Sequence, residues 1–261
     1  MSLLAGKVAI VSGVGPGTGR AIVLAFAHAG ADLVLSARHE ASYAAIAGEV
    51  EALGRRAVCV SADVCAAEDR ARVVKRTLDA YGRMDILVNN AFALGRVEPI
   101  ETADLESSWR TPFKVNLFGS LAMTQAVIPA MKAAGGGSVV MIASLAARRA
   151  EPGMASYGAS KAALMHAVLG LATELGRHRI RVNTVVPSHI DGPNLRAYFR
   201  MQAEAREVPE ETIYRETAAL GVLPHVCTAA EVASVVTFFA SDLASAVTGQ
   251  SLDVNCGQWF D

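Results

Sequence analysis

Short hydrophobic runs alternate along the chain with longer segments in which apolar residues recur at helical spacing. The first run, Val8-Ala9-Ile10-Val11, has the length and the β-branched content of a strand that is buried on both faces. The helical segments that follow the first three runs end at Gly30, Gly54 and Gly82, as helices commonly do. Because strands and helices alternate in this way, the pattern predicts an α/β fold with a parallel sheet between two layers of helices.

About seven strands are predicted, and the alternation continues to the end of the chain. The predicted strands span 7–12, 32–36, 57–61, 85–88, 138–142, 180–186 and 251–254. The predicted helices span 20–29, 40–53, 66–81, 103–113, 114–132, 230–240 and a segment that begins near residue 155. No internal repeat or linker interrupts the pattern, so we predict one Rossmann-type, doubly wound domain over residues 1–261.

Residues 189–224 do not follow the alternation. This segment is irregular and amphipathic, and it follows the carboxyl end of a predicted strand, where open parallel sheets bind ligands. We interpret it as a lid over the substrate, with a surface helical hairpin and an oligomer contact as the alternatives. The residues expected to line a partly apolar pocket there are Leu94, Leu145, Ala146, His189, Tyr198 and Phe199.

Composition and charge exclude several classes of function. Hydrophobic residues make up 52% of the chain and charged residues 19%, so a large buried core is expected. The net charge is −1 and basic blocks are short, which argues against a nucleic-acid partner. Residues 1–5 lack the basic start of a signal peptide, and no apolar run approaches the ~18 residues that span a bilayer. We therefore predict a cytoplasmic protein with no membrane partner.

The four cysteines are Cys59, Cys65, Cys227 and Cys256, and none shows metal-type spacing. We interpret them as small buried residues of a reduced cytosol, and we expect neither a disulfide framework nor a metal site.

The stretch from residue 144 to residue 161 contains the strongest candidate chemistry. Tyr157 and Lys161 lie four positions apart in a predicted helix, so their side chains share one face. Apolar residues continue that face further along the helix, at Leu164, Val168, Leu171 and Leu175, and place the pair at the top of a buried stripe. Ser144 follows strand 138–142 and reaches the same carboxyl edge of the sheet, where ligands bind.

A lysine beside a tyrosine predicts an acid–base group. A free phenol titrates near ~10, and a cation about 4 Å away, at an effective dielectric constant of ~20, stabilises the phenolate by about 4 kcal/mol. This energy corresponds to roughly 3 pKa units, so the pattern favours Tyr157 as a general acid–base for carbonyl reduction or its reverse. A nearby Ser144 hydroxyl would hold the carbonyl oxygen. Tyrosine and lysine also occur at this spacing by chance, which is the alternative interpretation.

A glycine-rich loop between the first strand and the first helix predicts a phosphate site. The loop contains Gly13, Gly17 and Gly19, and it presents backbone N–H groups and a helix N-terminus to an anion, although it also fits a simple tight turn. The second strand ends at Ser36-Ala37-Arg38, so no acidic residue stands where a carboxylate would favour NAD(H). A guanidinium suits a 2′-phosphate, so we predict NADP(H) with NAD(H) still possible, and a solvated surface arginine as the alternative.

These pieces, in their order and spacing, resemble the classical short-chain dehydrogenase/reductase family over almost the whole chain. The branch that looks most similar is the 3-oxoacyl-carrier-protein-reductase-like one. The resemblance rests on the glycine motif Gly13-x-x-x-Gly17-x-Gly19, Asp63, Asn89-Asn90-Ala91, Asn116, Ser144, Tyr157-x-x-x-Lys161 and Pro187.

The resemblance implies a role for each of these positions. Tyr157 would be the acid–base, Lys161 would lower its pKa and bind the nicotinamide ribose, Ser144 would position the substrate oxygen, and Asn116 would hold a water in a proton relay. The implied cofactor contacts are Gly13, Gly17, Thr18 and Gly19 at the pyrophosphate, Arg38, Asp63, Val64 and Asn90 on the adenosine side, and Pro187 and Ile190 near the carboxamide. The resemblance also implies a homo-oligomer, a dimer or tetramer formed through the two long helices and the C-terminal edge.

Four positions depart from the family pattern, and other functions remain open. Phe92 and Ser188 replace common glycines, Gly192 replaces a threonine that often meets the cofactor, and Cys256 interrupts a C-terminal glycine pair. The alternative to a ketone or alcohol oxidoreductase is a catalytically silent, nucleotide-binding regulatory protein on the same fold. Enoyl reduction is less favoured, since relatives of that type separate their tyrosine and lysine by more than four positions.

Overall fold

Seven parallel strands form the centre of the protein in a computed structural model that describes residues 2–260. The strands of this main sheet and of a small second sheet are β1 (Val8–Ser12), β2 (Asp32–Ala37), β3 (Ala57–Ser61), β4 (Ile86–Asn89), β5 (Gly137–Ile142), β6 (Ile180–Pro187), β7 (Ile190–Asp191), β8 (Cys227–Thr228) and β9 (Ser251–Val254). The main sheet has the order β3-β2-β1-β4-β5-β6-β9, and β7 pairs with β8 in a separate two-stranded sheet. Met1 and Asp261, the ends of the predicted domain, lie outside the described residues.

Helices follow most of the strands, as the alternating pattern predicts. They are α1 (Thr18–His28), α2 (Ala44–Ala52), α3 (Ala67–Tyr81), α4 (Leu105–Pro112), α5 (Ser120–Ala133), α6 (Ala155–Leu175), α7 (Pro193–Arg206), α8 (Glu210–Ala218) and α9 (Ala229–Ala240). Within residues 2–260, no helix combines the length and the hydropathy that a membrane span requires. The predicted fold class is confirmed, and β7 and β8 are the strands that the pattern did not predict.

The sheet separates two hydrophobic cores. On one face α1, α2 and α9 contribute core side chains such as Ile22 and Phe239, and on the other α3, α5 and α6 contribute core side chains such as Met123 and Leu164. All five residues of β1 are buried, which is why its sequence is continuously apolar rather than alternating. The rigid sheet fixes the positions of the loops at its carboxyl edge.

The strand order reverses between β1 and β4, and the loops after these strands meet there. The backbone N–H of Asn90 donates to the Ser12 carbonyl at 2.9 Å, and the Asn90 side-chain amide donates to the Gly13 carbonyl at 2.6 Å. In open α/β sheets, ligands bind in the crevice outside this reversal. The fold thus places the glycine loop and the Asn89-Asn90 pair at the expected binding position.

The helices predicted at 103–113 and 114–132 form one continuous helical rod. Helix α4 passes through a π-helical segment, Phe113–Gly119, into α5, and α5 continues past Pro129 to Ala133. Single π-turns inside α-helices are often found at functional sites, and this one contains Asn116.

Residues 189–224 form a helical hairpin rather than an irregular segment. Helices α7 and α8 pack around a small core of Phe199, Ala203 and Ile213. Arg196 stabilises the hairpin through a two-point ion pair with Asp191, at 2.6 and 2.7 Å, and its guanidinium lies 4.7 Å from the centre of the Tyr214 ring. The hairpin geometry matches the alternative interpretation, and its role as a lid stays a prediction.

Candidate active site

Helix α6 carries Tyr157 and Lys161 at the carboxyl edge of the sheet. Lys161 is 2% exposed, and its Nζ donates a 2.7 Å hydrogen bond to the carbonyl of Ile142, the last residue of β5. The same Nζ lies 5.9 Å from the centre of the Tyr157 ring. Below the pair, Leu164, Val168 and Leu175 are buried, which confirms the inward-facing stripe predicted from the sequence.

The start of α6 contacts the turn that follows β5. A side chain at Gly158 would place its Cβ 2.5 Å from the Ala146 carbonyl oxygen, so only glycine permits this approach. Ser144 precedes the turn, and its Oγ accepts a 3.2 Å hydrogen bond from the Ala146 N–H. The Ser144 side chain is also close enough to the Tyr157 hydroxyl to lower its pKa. The two hydroxyls therefore meet at one point, as a carbonyl-binding pair requires.

Burial shifts the pKa values of Tyr157 and Lys161 in opposite directions. Burial raises the pKa of Tyr157 above its ordinary value, and the Ser144 hydrogen bond opposes this only in part. Burial also lowers the pKa of Lys161 from 10.5 to about 7, so the amine is only partly charged at neutral pH. In the protein alone only Ser144 lowers the pKa of Tyr157, so the expectation that Lys161 lowers this pKa stays a prediction.

Asn116 is fully engaged with the protein. Its Oδ1 accepts from the Ala93 N–H at 2.8 Å, and its Nδ2 donates to the Ala93 carbonyl and to Ser160 Oγ, both at 2.9 Å. Ser160 in turn donates to the Tyr157 carbonyl at 2.7 Å. Both amide protons of Asn116 are used, so this side chain ties the π-segment to the loop after β4 and to α6. Its role in a water relay stays a prediction.

Gly13 and Gly19 are required by close contacts within the protein. Gly13 has a φ of +88°, and a Cβ there would lie 2.3 Å from the Ala91 backbone nitrogen. A Cβ on Gly19 would lie 2.8 Å from the Gly13 carbonyl oxygen. Only residues without a Cβ bring α1 this close to the β4 loop.

Gly17 has a different environment, and it supports an anion site. A Cβ built on Gly17 would meet no protein atom within 4 Å, so the fold itself does not require glycine there. Gly17 precedes Thr18, the first residue of α1, and the first turn of α1 contains no acidic residue. The free N–H groups of a helix start attract phosphate, and a small residue beside them lets the phosphate approach. These residues fit the pyrophosphate of a dinucleotide.

The predicted adenosine contacts lie along the ends of β2 and β3. Arg38 is exposed, its carbonyl accepts from Ser61 Oγ at 3.0 Å, and no ion pair involving its guanidinium is found within residues 2–260. Asp63 Oδ1 accepts from the Cys65 N–H at 2.8 Å. Val64 packs on the π-segment, where its methyl group occupies the space that a Cβ on Gly119 would need.

The remaining predicted contacts and pocket residues have mixed outcomes. Pro187 ends β6, and Ile190, which is partly buried, starts β7. Phe199 is fully buried in the hairpin core and does not line a pocket, whereas Tyr198 is 49% exposed. Phe92, which replaces a common glycine, is 55% exposed beside the site. Asn89 bonds to Thr124 Oγ1 and contacts Met141 Sδ, so its role is structural, as the sequence favoured.

Ser160 is a site residue that the sequence did not single out. It lies directly before Lys161 and is fully buried, and it connects Asn116 with the Tyr157 backbone. A serine inside the apolar stripe of α6 was the available signal. The Ile142 carbonyl that holds Lys161 has no sequence signal, because any residue supplies a carbonyl.

Comparison with known proteins identifies the family. The family model described as enoyl-(acyl carrier protein) reductase matches residues 13–258. The 7α-hydroxysteroid dehydrogenase of Escherichia coli K12 is 32% identical over 254 residues, which cover 97% of this chain and 94% of that protein. The chain belongs to the short-chain dehydrogenase/reductase family. The same family includes the 3-oxoacyl-[acyl-carrier-protein] reductase FabG of Thermotoga maritima, 32% identical over 97% of this chain and 98% of that protein.

Solved structures of the short-chain dehydrogenase/reductase family agree with this fold. Carveol dehydrogenase from Mycobacterium avium, solved in complex with NAD, superposes with a TM-score of 0.91 at 29% identity over 99% of each chain. The protein is therefore an NAD(P)-dependent oxidoreductase of this family. No observation favours the alternative of a catalytically silent regulatory protein.

Proposed function

We propose that this enzyme transfers a hydride between NADP(H) and a ketone or secondary alcohol, with Tyr157 as the general acid–base. The observation that carries the proposal is the meeting of the Ser144 and Tyr157 hydroxyls above a buried Lys161. Ser144 would hold the substrate oxygen, and Tyr157 would give a proton to it or take one from it. The bound nicotinamide cofactor supplies or accepts the hydride.

The pKa of Tyr157 favours reduction at neutral pH. Because burial raises this pKa, the phenol keeps its proton and can donate it to a developing alkoxide. Alcohol oxidation needs the phenolate, so this direction should become faster as the pH rises. Reduction is therefore proposed as the working direction, and the four-residue spacing of Tyr157 and Lys161 supports a carbonyl rather than an enoyl substrate.

A preference for NADP(H) is supported by Arg38. The guanidinium is exposed at the end of β2, no acidic residue stands at position 37, and a guanidinium binds phosphate through charge-assisted hydrogen bonds. Gly13, Gly17, Thr18 and Gly19 would hold or support the pyrophosphate side. Asp63, Val64 and Asn90 would border the adenosine, and Pro187 and Ile190 the carboxamide end.

A paired titration with NADPH and NADH tests the cofactor preference. Arg38→Ala should weaken NADPH binding about tenfold to a hundredfold, the loss of one charge-assisted hydrogen bond of ~1.5–3 kcal/mol, and should leave NADH binding unchanged. Arg76→Ala is the matched control, since Arg76 is also an exposed arginine but lies on α3. Equal affinities for NADPH and NADH in the wild type would contradict the preference.

A panel of ketones then tests the reaction itself. We expect NADPH consumption with at least one partly apolar ketone, because the site combines hydroxyl donors with apolar neighbours such as Leu145. Tight NADPH binding without consumption across the panel would contradict the proposed carbonyl reduction.

A further inference from the structure

Two cysteines that are far apart in the sequence meet beside the helical hairpin. Cys227 lies in β8 and is 1% exposed, and Cys256 follows β9 and is 9% exposed. Both are free thiols, and their side chains lie close enough for each to affect the pKa of the other. They also line one surface cavity together with Trp259.

Each cysteine is bonded to one root of the hairpin, that is, to one of the two ends at which residues 189–224 join the body of the protein. Cys227 pairs with Ile190 in the β7–β8 ladder, where the hairpin begins. The Cys256 carbonyl accepts from the Val222 N–H at 2.8 Å and from the Leu223 N–H at 3.0 Å, where the hairpin ends. The contact between the two thiols therefore lies where both ends of residues 189–224 join the body of the protein.

A histidine distinguishes the two thiols. His225 Nε2 lies 3.6 Å from Cys256 Sγ and 2.9 Å from Glu231 Oε1. The carboxylate favours the N–H form of this nitrogen, and an N–H beside the sulfur stabilises a thiolate. Burial and the Glu231 carboxylate raise the pKa of Cys256 as well. Cys256 is the less buried of the pair and the one beside His225, so it is the attacking sulfur, with Cys227 as its resolving partner. Burial raises the pKa of Cys227 to about 12, which leaves it protonated until Cys256 has reacted.

We propose that Cys227 and Cys256 form a redox-modification site, at which hydrogen peroxide joins them in a disulfide that ties together the two roots of the hairpin. The Cys256 thiolate attacks peroxide, an S–O bond forms, the O–O bond breaks, and the leaving hydroxide takes up a proton as water. The Cys227 sulfur then attacks Cys256, the S–S bond forms, the S–O bond breaks, and a second water leaves. The two thiols lose two electrons and two protons, and peroxide is reduced to two waters.

Thiol mapping after peroxide treatment tests the disulfide. The full-length wild type and a Cys59→Ser/Cys65→Ser variant are treated while folded, then denatured, alkylated, digested and analysed by mass spectrometry. We expect a cross-linked peptide that contains Cys227 and Cys256, its loss after dithiothreitol, and the same result in both proteins. In Cys227→Ala the cross-link should be absent and Cys256 should be recovered in a higher oxidation state. Two alkylatable thiols after treatment, or sulfinic acid at Cys256 beside a free Cys227 in the wild type, would overturn the proposal.

Limited proteolysis tests, separately from catalysis, whether the disulfide acts as a tether between the two roots of the hairpin. Cleavage within 193–218 requires local opening of the hairpin, so the disulfide should slow it severalfold in the wild type. Cys256→Ser should show the same cleavage rate with and without peroxide. Unchanged cleavage in a wild type that carries the disulfide would overturn the tether. Neither readout depends on turnover, so a failure of the proposed carbonyl reduction leaves both tests intact.

Discussion

Individual residues in this site are held by a small number of close contacts. Asn116 donates one amide proton to the Ala93 carbonyl and the other to Ser160, and Lys161 donates to the Ile142 carbonyl. Motif spacing predicted which residues gather at the site, but their partners are backbone atoms, and a backbone atom has no sequence signature. The position of Lys161 was therefore predictable, whereas the pKa of Tyr157 depends on how deeply the folded protein buries the phenol.

Two glycines of the same loop should respond differently to alanine. Gly13→Ala forces a Cβ to 2.3 Å from Ala91 N at a positive φ, so we expect a loss of about 1–3 kcal/mol or more in the free energy of unfolding. Gly17→Ala meets no protein atom, so it should fold normally but bind NADPH more weakly, because its methyl group faces the proposed phosphate. Urea unfolding and NADPH fluorescence titration measure the two effects. Unchanged NADPH affinity in Gly17→Ala would contradict the phosphate site.

Helix α6 shows how an element can serve both packing and chemistry. Its apolar stripe was evident from the sequence and places Leu164 and Val168 in the core, which fixes the position of Tyr157 and Lys161 above them. The π-segment between α4 and α5 was not predictable from periodicity, since one extra residue per turn over Phe113–Gly119 is set by tertiary packing. The helical hairpin was only an alternative interpretation of residues 189–224, because α7 and α8 bury a small core of their own.

Burying Lys161 costs stability in a pH-dependent way. The pKa falls from 10.5 in the unfolded chain to about 7 in the folded one, so between these values the unfolded chain binds the extra proton and stability rises with pH. Lys161→Met should therefore abolish turnover but stabilise the fold below about pH 7. The net gain in the free energy of unfolding should be on the order of 2 kcal/mol, because the lost Ile142 hydrogen bond offsets part of the benefit of removing the buried charge. The gain should shrink toward pH 10.5.

Urea unfolding at several pH values measures this difference. Lys132→Met is the matched control, since Lys132 is exposed at the end of α5 and its loss should leave the pH dependence unchanged. If the stability gain of Lys161→Met stays constant across this pH range, the charge of the buried lysine is not what destabilises the fold.

For the whole molecule, the alternation of strands and helices was sufficient to predict the sheet and its helical layers. The order of the seven strands follows from right-handed crossovers between parallel strands, and it places the glycine loop at the point where the strand order reverses. The sequence did not reveal how the C-terminal segment folds back on Val222 and Leu223, because this contact joins distant parts of the chain through backbone hydrogen bonds. A cytoplasmic location stays a prediction.

The homo-oligomer also stays a prediction. Apolar side chains are exposed on both long helical elements, among them Phe118, 61% exposed in the π-segment, and Leu169, 49% exposed on α6. We expect light scattering after size exclusion to give two or four times the chain mass. Leu169→Arg should lower that mass, whereas Leu53→Arg, an exposed leucine at the end of α2, should not. A monomeric wild type would contradict the assembly.

The most direct test of the account compares the wild type with Tyr157→Phe, using NADPH and a ketone that the wild type reduces. Phenylalanine keeps the ring and removes the hydroxyl that meets Ser144, so NADPH affinity measured by fluorescence titration should be nearly unchanged. Turnover, followed as NADPH consumption, should fall by about 10²–10⁴-fold, the usual contribution of a positioned general acid. Turnover of the variant at the wild-type rate would contradict the central claim that Tyr157 transfers the proton.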